Sequence, residues 1–135
     1  MPLSTSTMAA ALDTIVDRVD AGSAAGKLQI FTDSYGTLLA EFTFSDPAFV
    51  SATVASPSVA TAASLPKATT GIAAGTAGAF RIVDSNNTMV WEESGSTAVN
   101  TSTAMVIMTN LAIDVGQTVN LVGCSLSFSG TLSVS

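Results

Sequence analysis

The C-terminal stretch 125–135 places Leu126, Phe128, Leu132 and Val134 on one face and Ser125, Ser127, Ser129, Thr131, Ser133 and Ser135 on the other. Successive side chains of an extended strand point to opposite sides, so a period of two over this length demands a sheet with one buried face. The hydroxyl face is then exposed or turned toward a partner. Gly130 interrupts the apolar row and is expected to mark a bulge. A helix is ruled out here, because it would scatter these apolar positions around its circumference.

Shorter runs upstream repeat the signal. Lys27 to Phe31 alternates with Leu28 and Ile30 on one face, and Asp33-Ser34-Tyr35-Gly36 is a turn. Leu38 to Phe44 is a second strand with Ala40, Phe42 and Phe44 together, stopped by Ser45-Asp46-Pro47 because proline has no N–H for a ladder. The runs 79–83 and 89–92 flank Asp84-Ser85-Asn86-Asn87-Thr88, whose Asp and Asn tolerate left-handed backbone, and so predict a hairpin. Further strands are expected at 105–108, 111–113 and 118–122, with a turn at Val115-Gly116-Gln117 and a polar loop at 95–103. The segment 48–79 is dominated by small residues anchored by Phe49, Val54, Val59 and Leu65. It predicts short strands near 51–55 and 58–65, then a flexible Ala/Thr/Gly-rich loop at 67–78.

One segment has the other period. Met8, Leu12, Ile15, Val16 and Val19 recur as a single helical stripe. Ser6 or Thr7 is a suitable cap and Gly22 a suitable left-handed stop. The sequence therefore predicts one domain over 1–135, mainly β: an antiparallel β-sandwich or jelly-roll-like barrel, with one short N-terminal α-helix at 6–21 and the β region at 27–135.

Charge narrows the partners. Only 10 % of residues are charged, against a usual share of about 25 %. Hydroxyls replace ions on the polar surface, and they cost less to desolvate, which suits a protein that lies against another protein. The net charge is -6, and Arg18, Lys27, Lys67 and Arg81 are spread along the chain. No basic patch is available for phosphates, so nucleic acid and anionic membrane surfaces are not expected partners. The N-terminus lacks a basic stretch followed by an apolar core of signal-peptide length, and no run is apolar enough to span a bilayer, so a soluble, unsecreted protein is expected. The triplets Asn86-Asn87-Thr88 and Asn100-Thr101-Ser102 are accordingly chance occurrences in a Thr-rich chain.

The residues for catalysis are missing. The chain has no histidine, which removes Ser-His-Asp and Cys-His nucleophile pairs, and a single cysteine, which removes a disulfide and a structural zinc site. Cys124 lies among Val122, Gly123, Ser125 and Leu126 with no local base, as a small core residue would. Glu92 and Glu93 are adjacent on a strand and so point apart. Asp13, Asp17 and Asp20 form a row on one helix side, which reads as a solvated face, since hard cations take ligands converging from a loop. Asp84-Ser85-Asn86-Asn87 begins like a calcium loop, but Met89 and Gly95 stand where Gly and Glu are required. The glycines at 71–78 lack the lysine and following helix of a phosphate cradle. No catalytic, cofactor-binding or metal-binding residues are assigned. Of Trp91 and the six phenylalanines, most fall in apolar strand patterns, leaving Tyr35 as the aromatic expected at the surface.

The order of segments carries a resemblance. Ala11-Leu12-Asp13 and Val16-Asp17 lead into Asp20-Ala21-Gly22-Ser23-Ala24-Ala25-Gly26-Lys27-Leu28, then Ile30-Phe31-Thr32, Gly36-Thr37-Leu38-Leu39-Ala40 and Phe42-Thr43-Phe44-Ser45-Asp46-Pro47-Ala48-Phe49. Gly75-Thr76-Ala77-Gly78 and Phe80-Arg81-Ile82-Val83-Asp84-Ser85 follow. This resembles a family of small structural proteins encoded in the virion modules of tailed phages, with Thr32-Asp33-Ser34-Tyr35 replacing a longer loop common there. The resemblance implies a non-enzymatic virion protein made in the host bacterial cytoplasm. It implies a capsid decoration or cement protein that contacts the major capsid protein and forms a homo-oligomer. A tail or neck component and a carbohydrate-binding β-sandwich are the alternatives, the latter requiring an exposed aromatic platform.

Overall fold

The structure, a computed structural model, describes residues 4–22, 24–45, 47–55, 58–94, 97–99, 106–108 and 110–128. The chain opens with helix α1 (Thr5–Asp17), extended by a 3₁₀ turn over Arg18–Asp20. Among the described residues eleven strands follow: β1 (Lys27–Phe31), β2 (Leu38–Thr43), β3 (Ser58–Thr61), β4 (Lys67–Thr70), β5 (Gly75–Thr76), β6 (Ala79–Val83), β7 (Met89–Ser94), β8 (Thr97–Val99), β9 (Val106–Met108), β10 (Ala112–Ile113) and β11 (Thr118–Phe128). They form a four-stranded antiparallel sheet in the order β2-β1-β6-β7 and a five-stranded sheet in which β3 and β4 share one side of β11 while β9 and β8 continue on the other. Strands β8 and β9 run parallel, and β5 and β10 make a small two-stranded sheet. The fold is mainly β and sandwich-like, as the alternating patterns predict.

The helical stripe is the edge of the core. Leu12 and Val19 are fully buried, with Met8 and Val16 almost so, and α1 packs on β3 and β11. The cap is Ser4, not Ser6 or Thr7: its side chain accepts the Thr7 N–H at 3.2 Å. The helix is also not stopped by a left-handed Gly22. It tightens into the 3₁₀ turn, and Gly22 serves close approach, since a Cβ there would collide with the Ser85 side chain of the hairpin. Between the sheets, Leu28, Ile30, Phe42, Phe80 and Ile82 from one side meet Val106, Met108, Leu121 and Leu126 from the other in one contiguous cluster.

Three expectations need correction. First, 118–122 and the following alternating segment are one strand, β11. A bulge between Leu121 and Gly123 supplies one extra residue, so Val119 and Leu121 before it and Cys124 and Leu126 after it all face the core. Without that residue the parity would put the second pair outside. The expected bulge at Gly130 lies outside the described residues, as do Leu132 and Val134.

Second, 51–55 is not a strand. It runs beside β3 and covers its edge, with Val50 N–H on Thr61 O at 2.8 Å and Thr53 N–H on Val59 O at 2.9 Å. Strand β3 itself ends at Thr61, although Ala62 still donates to Cys124 O.

Third, 67–78 is not a loop. Strand β4 lies on β11 and β5 on β10, while Gly71 N–H bonds Gln117 O, Ile72 N–H bonds Leu39 O and Gly78 N–H bonds Phe31 O. The small residues of this segment allow close backbone packing and do not mark mobility. Within the polar loop expected at 95–103, residues 97–99 form β8 and the others lie outside the described residues.

Candidate functional site

Most of the charges whose contacts are resolved are occupied by the fold. The acidic row of α1 divides by task. Asp13 accepts the Ala52 N–H at 2.7 Å and Asp20 accepts the Ala48 N–H at 3.1 Å, so both tie the 48–52 segment to the helix, while Asp17 is exposed. Removing a partly buried acceptor leaves a backbone donor unpaired, so Asp13→Ala is expected to cost about 1 kcal/mol, read as a lower urea midpoint with an unchanged slope. Asp84 accepts the N–H groups of Asn86 and Thr88, both at 2.9 Å, and closes the predicted hairpin, in which Asn87 takes a left-handed φ of 63°. Among the described residues, no group of three or more His, Cys, Asp or Glu side chains converges. No helix among them is long and apolar enough to cross a membrane.

The outer face of the four-stranded sheet holds the remaining charged cluster. Register aligns Glu41, Gln29, Arg81 and Glu92 in one cross-strand row. Gln29 donates to Glu41 at 2.9 Å, Lys27 approaches Glu41 at 3.7 Å, and Arg81 Nε meets Glu92 at 2.8 Å. The 33–35 turn folds over this row. Tyr35 meets Phe31 edge-on with centroids 5.8 Å apart, and the Arg81 guanidinium sits 5.2 Å from both ring centroids. Tyr35 is thus half-buried in a packed cluster, and Trp91 is half-buried against the core. Neither offers the bare platform that sugar stacking needs.

Among the described residues, two clefts border α1. One of about 250 Å³ is lined by Ile15, Arg18, Asp84, Met89 and Val90, and its carboxylate is engaged by the hairpin. The other, about 320 Å³, is lined by Asp13, Asp17, Phe49 and Val50, with Asp13 bound to Ala52. Neither gathers the few convergent polar groups that orient a small ligand.

Cys124 is buried beneath the bulge, and burial alone pushes its thiol up to about 12. It is expected not to react with a thiol reagent near neutral pH while folded, and to react once urea unfolds the chain. The native state holds the proton more tightly than the unfolded chain does. Stability is therefore complete below the ordinary thiol value of 9.0 and falls as pH rises toward about 12. The slope is at most about 1.4 kcal/mol per pH unit. Alkaline titration of Cys124→Ala should lack this contribution.

Two further surfaces are of another kind, and Val50, Val54 and Met89 also stand exposed elsewhere among the described residues. The outward positions of the five-stranded sheet, among them Thr61, Thr70, Thr118, Asn120, Val122 and Ser127, include no ionisable side chain among the described residues. Composition could have revealed this face, since residues 94–135 carry a single charged side chain, Asp114. The second surface is one end of the sandwich. There the 71–74 and 114–117 turns are bonded through Gly71 N–H to Gln117 O at 2.8 Å and Gly116 N–H to Gly71 O at 3.0 Å. They present Ile72, 53 % exposed, and Val115, 70 % exposed. No protein-family model matches the chain, and no curated protein and no solved structure is significantly similar to it.

Proposed function

We propose that the protein is a non-enzymatic structural component of a tailed-phage virion, a decoration or cement protein that binds the assembled head and stabilises it. The observation that carries this reading is the end of the sandwich bearing Ile72 and Val115. Two β-branched side chains stand in water on turns whose backbones are held by hydrogen bonds, so docking them orders little that is not already ordered. The resemblance to small phage virion proteins points the same way, and so does a surface low in charge. A shell repeats its subunits many times, so a small contact per copy suffices for dense coverage. The net charge of -6 keeps free copies apart before they find it. The partner on this reading is the major capsid protein, and the site of action is the virion.

Co-sedimentation tests the assignment. Heads assembled from the major capsid protein of the same genome should carry the wild-type protein through a sucrose gradient. Ile72→Asp and Val115→Asp should bind at least about 10-fold more weakly, because each places a charge in a desolvated contact, yet melt at the wild-type temperature because both positions are exposed. Wild-type protein left at the top of the gradient would sink the reading, and recovery with tails instead would move it to the tail or neck.

A further inference from the structure

We infer that the surface covering Ile72 and Val115 presents a basic side chain to the carboxylate of Asp114, an inference that rests on the head-binding reading and names the partner chemistry at that contact. Charge is sparse at this end of the sandwich. Residues 68–80 carry no charged side chain, and 94–135 carry only Asp114. Asp114 immediately precedes Val115 and is exposed. Its backbone is held on both sides: its N–H donates to Gln117 Oε1 at 2.9 Å, and its carbonyl accepts the Gln117 N–H at 3.1 Å. Gly71, the residue before Ile72, packs directly on that same carbonyl. Among the described residues the carboxylate itself takes no hydrogen bond and no ion pair. A fixed, unpaired charge thus stands beside the two exposed apolar side chains.

The cations of the chain are placed elsewhere. Lys27 and Arg81 are engaged by Glu41 and Glu92 on the four-stranded sheet, and Arg18 lies in the turn after α1, beside the Asp84 hairpin. Lys67 is four residues before Gly71, about 13 Å back along β4 at roughly 3.3 Å per residue. Asp33, on the turn that packs against Gly78, has the same sign as Asp114. A partner that covers Ile72 and Val115 therefore takes a carboxylate out of water with them. An unpaired buried charge is costly, and a cation supplied by the partner removes that cost. A guanidinium suits the place best. It meets a carboxylate through two parallel N–H bonds, it is weakly hydrated, and its aliphatic stem can lie on the two apolar side chains. Ile72 and Val115 then supply the hold, and the ion pair fixes the register of docking.

Co-sedimentation with heads assembled from the major capsid protein of the same genome, at low and high salt, tests the pairing. Wild-type affinity should fall as salt rises. Asp114→Asn keeps the shape and removes the charge, so it should bind about 10-fold more weakly at low salt and lose most of the salt dependence. Asp114→Lys sets like charges together and should bind at least about 100-fold more weakly. Asp17→Asn removes the same charge from the exposed side of α1 and should bind as the wild type does, which separates a local pair from the net charge acting at a distance. All three variants should melt at the wild-type temperature, because neither carboxylate is used by the fold. Asp114→Asn binding as tightly as the wild type would overturn the ion pair and leave the Ile72 and Val115 contact standing. Equal weakening by Asp17→Asn and Asp114→Asn would overturn it as well. Wild-type protein that binds no heads would overturn the pairing and the head-binding reading together.

Discussion

Leu12→Asp is expected to abolish the native fold. Leu12 is fully buried on the inward side of α1 and belongs to the same cluster as Phe42, Phe80 and Leu126. The substitution removes a leucine's worth of packing and leaves a carboxylate with no cation beside it. The first effect alone costs about 2–5 kcal/mol, and an unpaired buried charge adds several more unless it takes up a proton. A chain of this size has about 5–15 kcal/mol in all. The far-ultraviolet spectrum and thermal melt of the variant should therefore be those of an unfolded chain at neutral pH, with partial recovery in acid as the carboxyl protonates. A variant that folds normally but no longer binds heads would mean that the helix is a contact surface and not part of the core.

Gly71→Ala should be nearly as damaging for its size. A Cβ at this position would collide with the Asp114 carbonyl oxygen and lie 2.9 Å from an Ile113 methyl. Backbone cannot swing aside as a long side chain does, so the 71–74 and 114–117 turns must separate and lose the bonds between Gly71, Gly116 and Gln117. Overpacking of this kind costs about 1–3 kcal/mol, and broken backbone pairs add to it, for an expected loss of roughly 3 kcal/mol in a urea melt. Ala74→Ser, exposed two residues beyond Ile72, should change stability by less than about 0.5 kcal/mol. Equal, negligible effects at both positions would restore the reading of 67–78 as a loop. Gly71→Ala should also weaken head binding, because it displaces Ile72 and Val115 together.

What the sequence made legible was whatever depends on a period. The stripe of Met8, Leu12, Val16 and Val19, the alternation in Leu28 and Ile30, and the hairpin around Asp84 to Thr88 all appear where the pattern places them. These are local rules in which one residue's face fixes the next. The pattern of β11 looks like two strands because its bulge at Leu121 and Gly123 reverses parity, which a period of two presents as an ending. The strands of 67–78 leave no local signal, because β4 and β5 find their partners in the distant β11 and β10 through backbone groups that small side chains merely allow to approach. The pinning roles of Asp13 and Asp20 were equally hidden, since a carboxylate on a helix face looks solvated until a distant backbone donor is brought to it. Ile72 and Val115 look like core residues in the sequence, and only the topology places them exposed on adjoining, hydrogen-bonded turns.

Whether this chain coats an assembled head is tested most directly by electron cryomicroscopy. Purified protein is mixed with expanded heads built without it from the major capsid protein of the same genome. The prediction is density for a β-sandwich at regularly repeated surface positions, with the Ile72 and Val115 end against the shell. Bare heads at saturating protein, or density confined to the portal or tail, would contradict it.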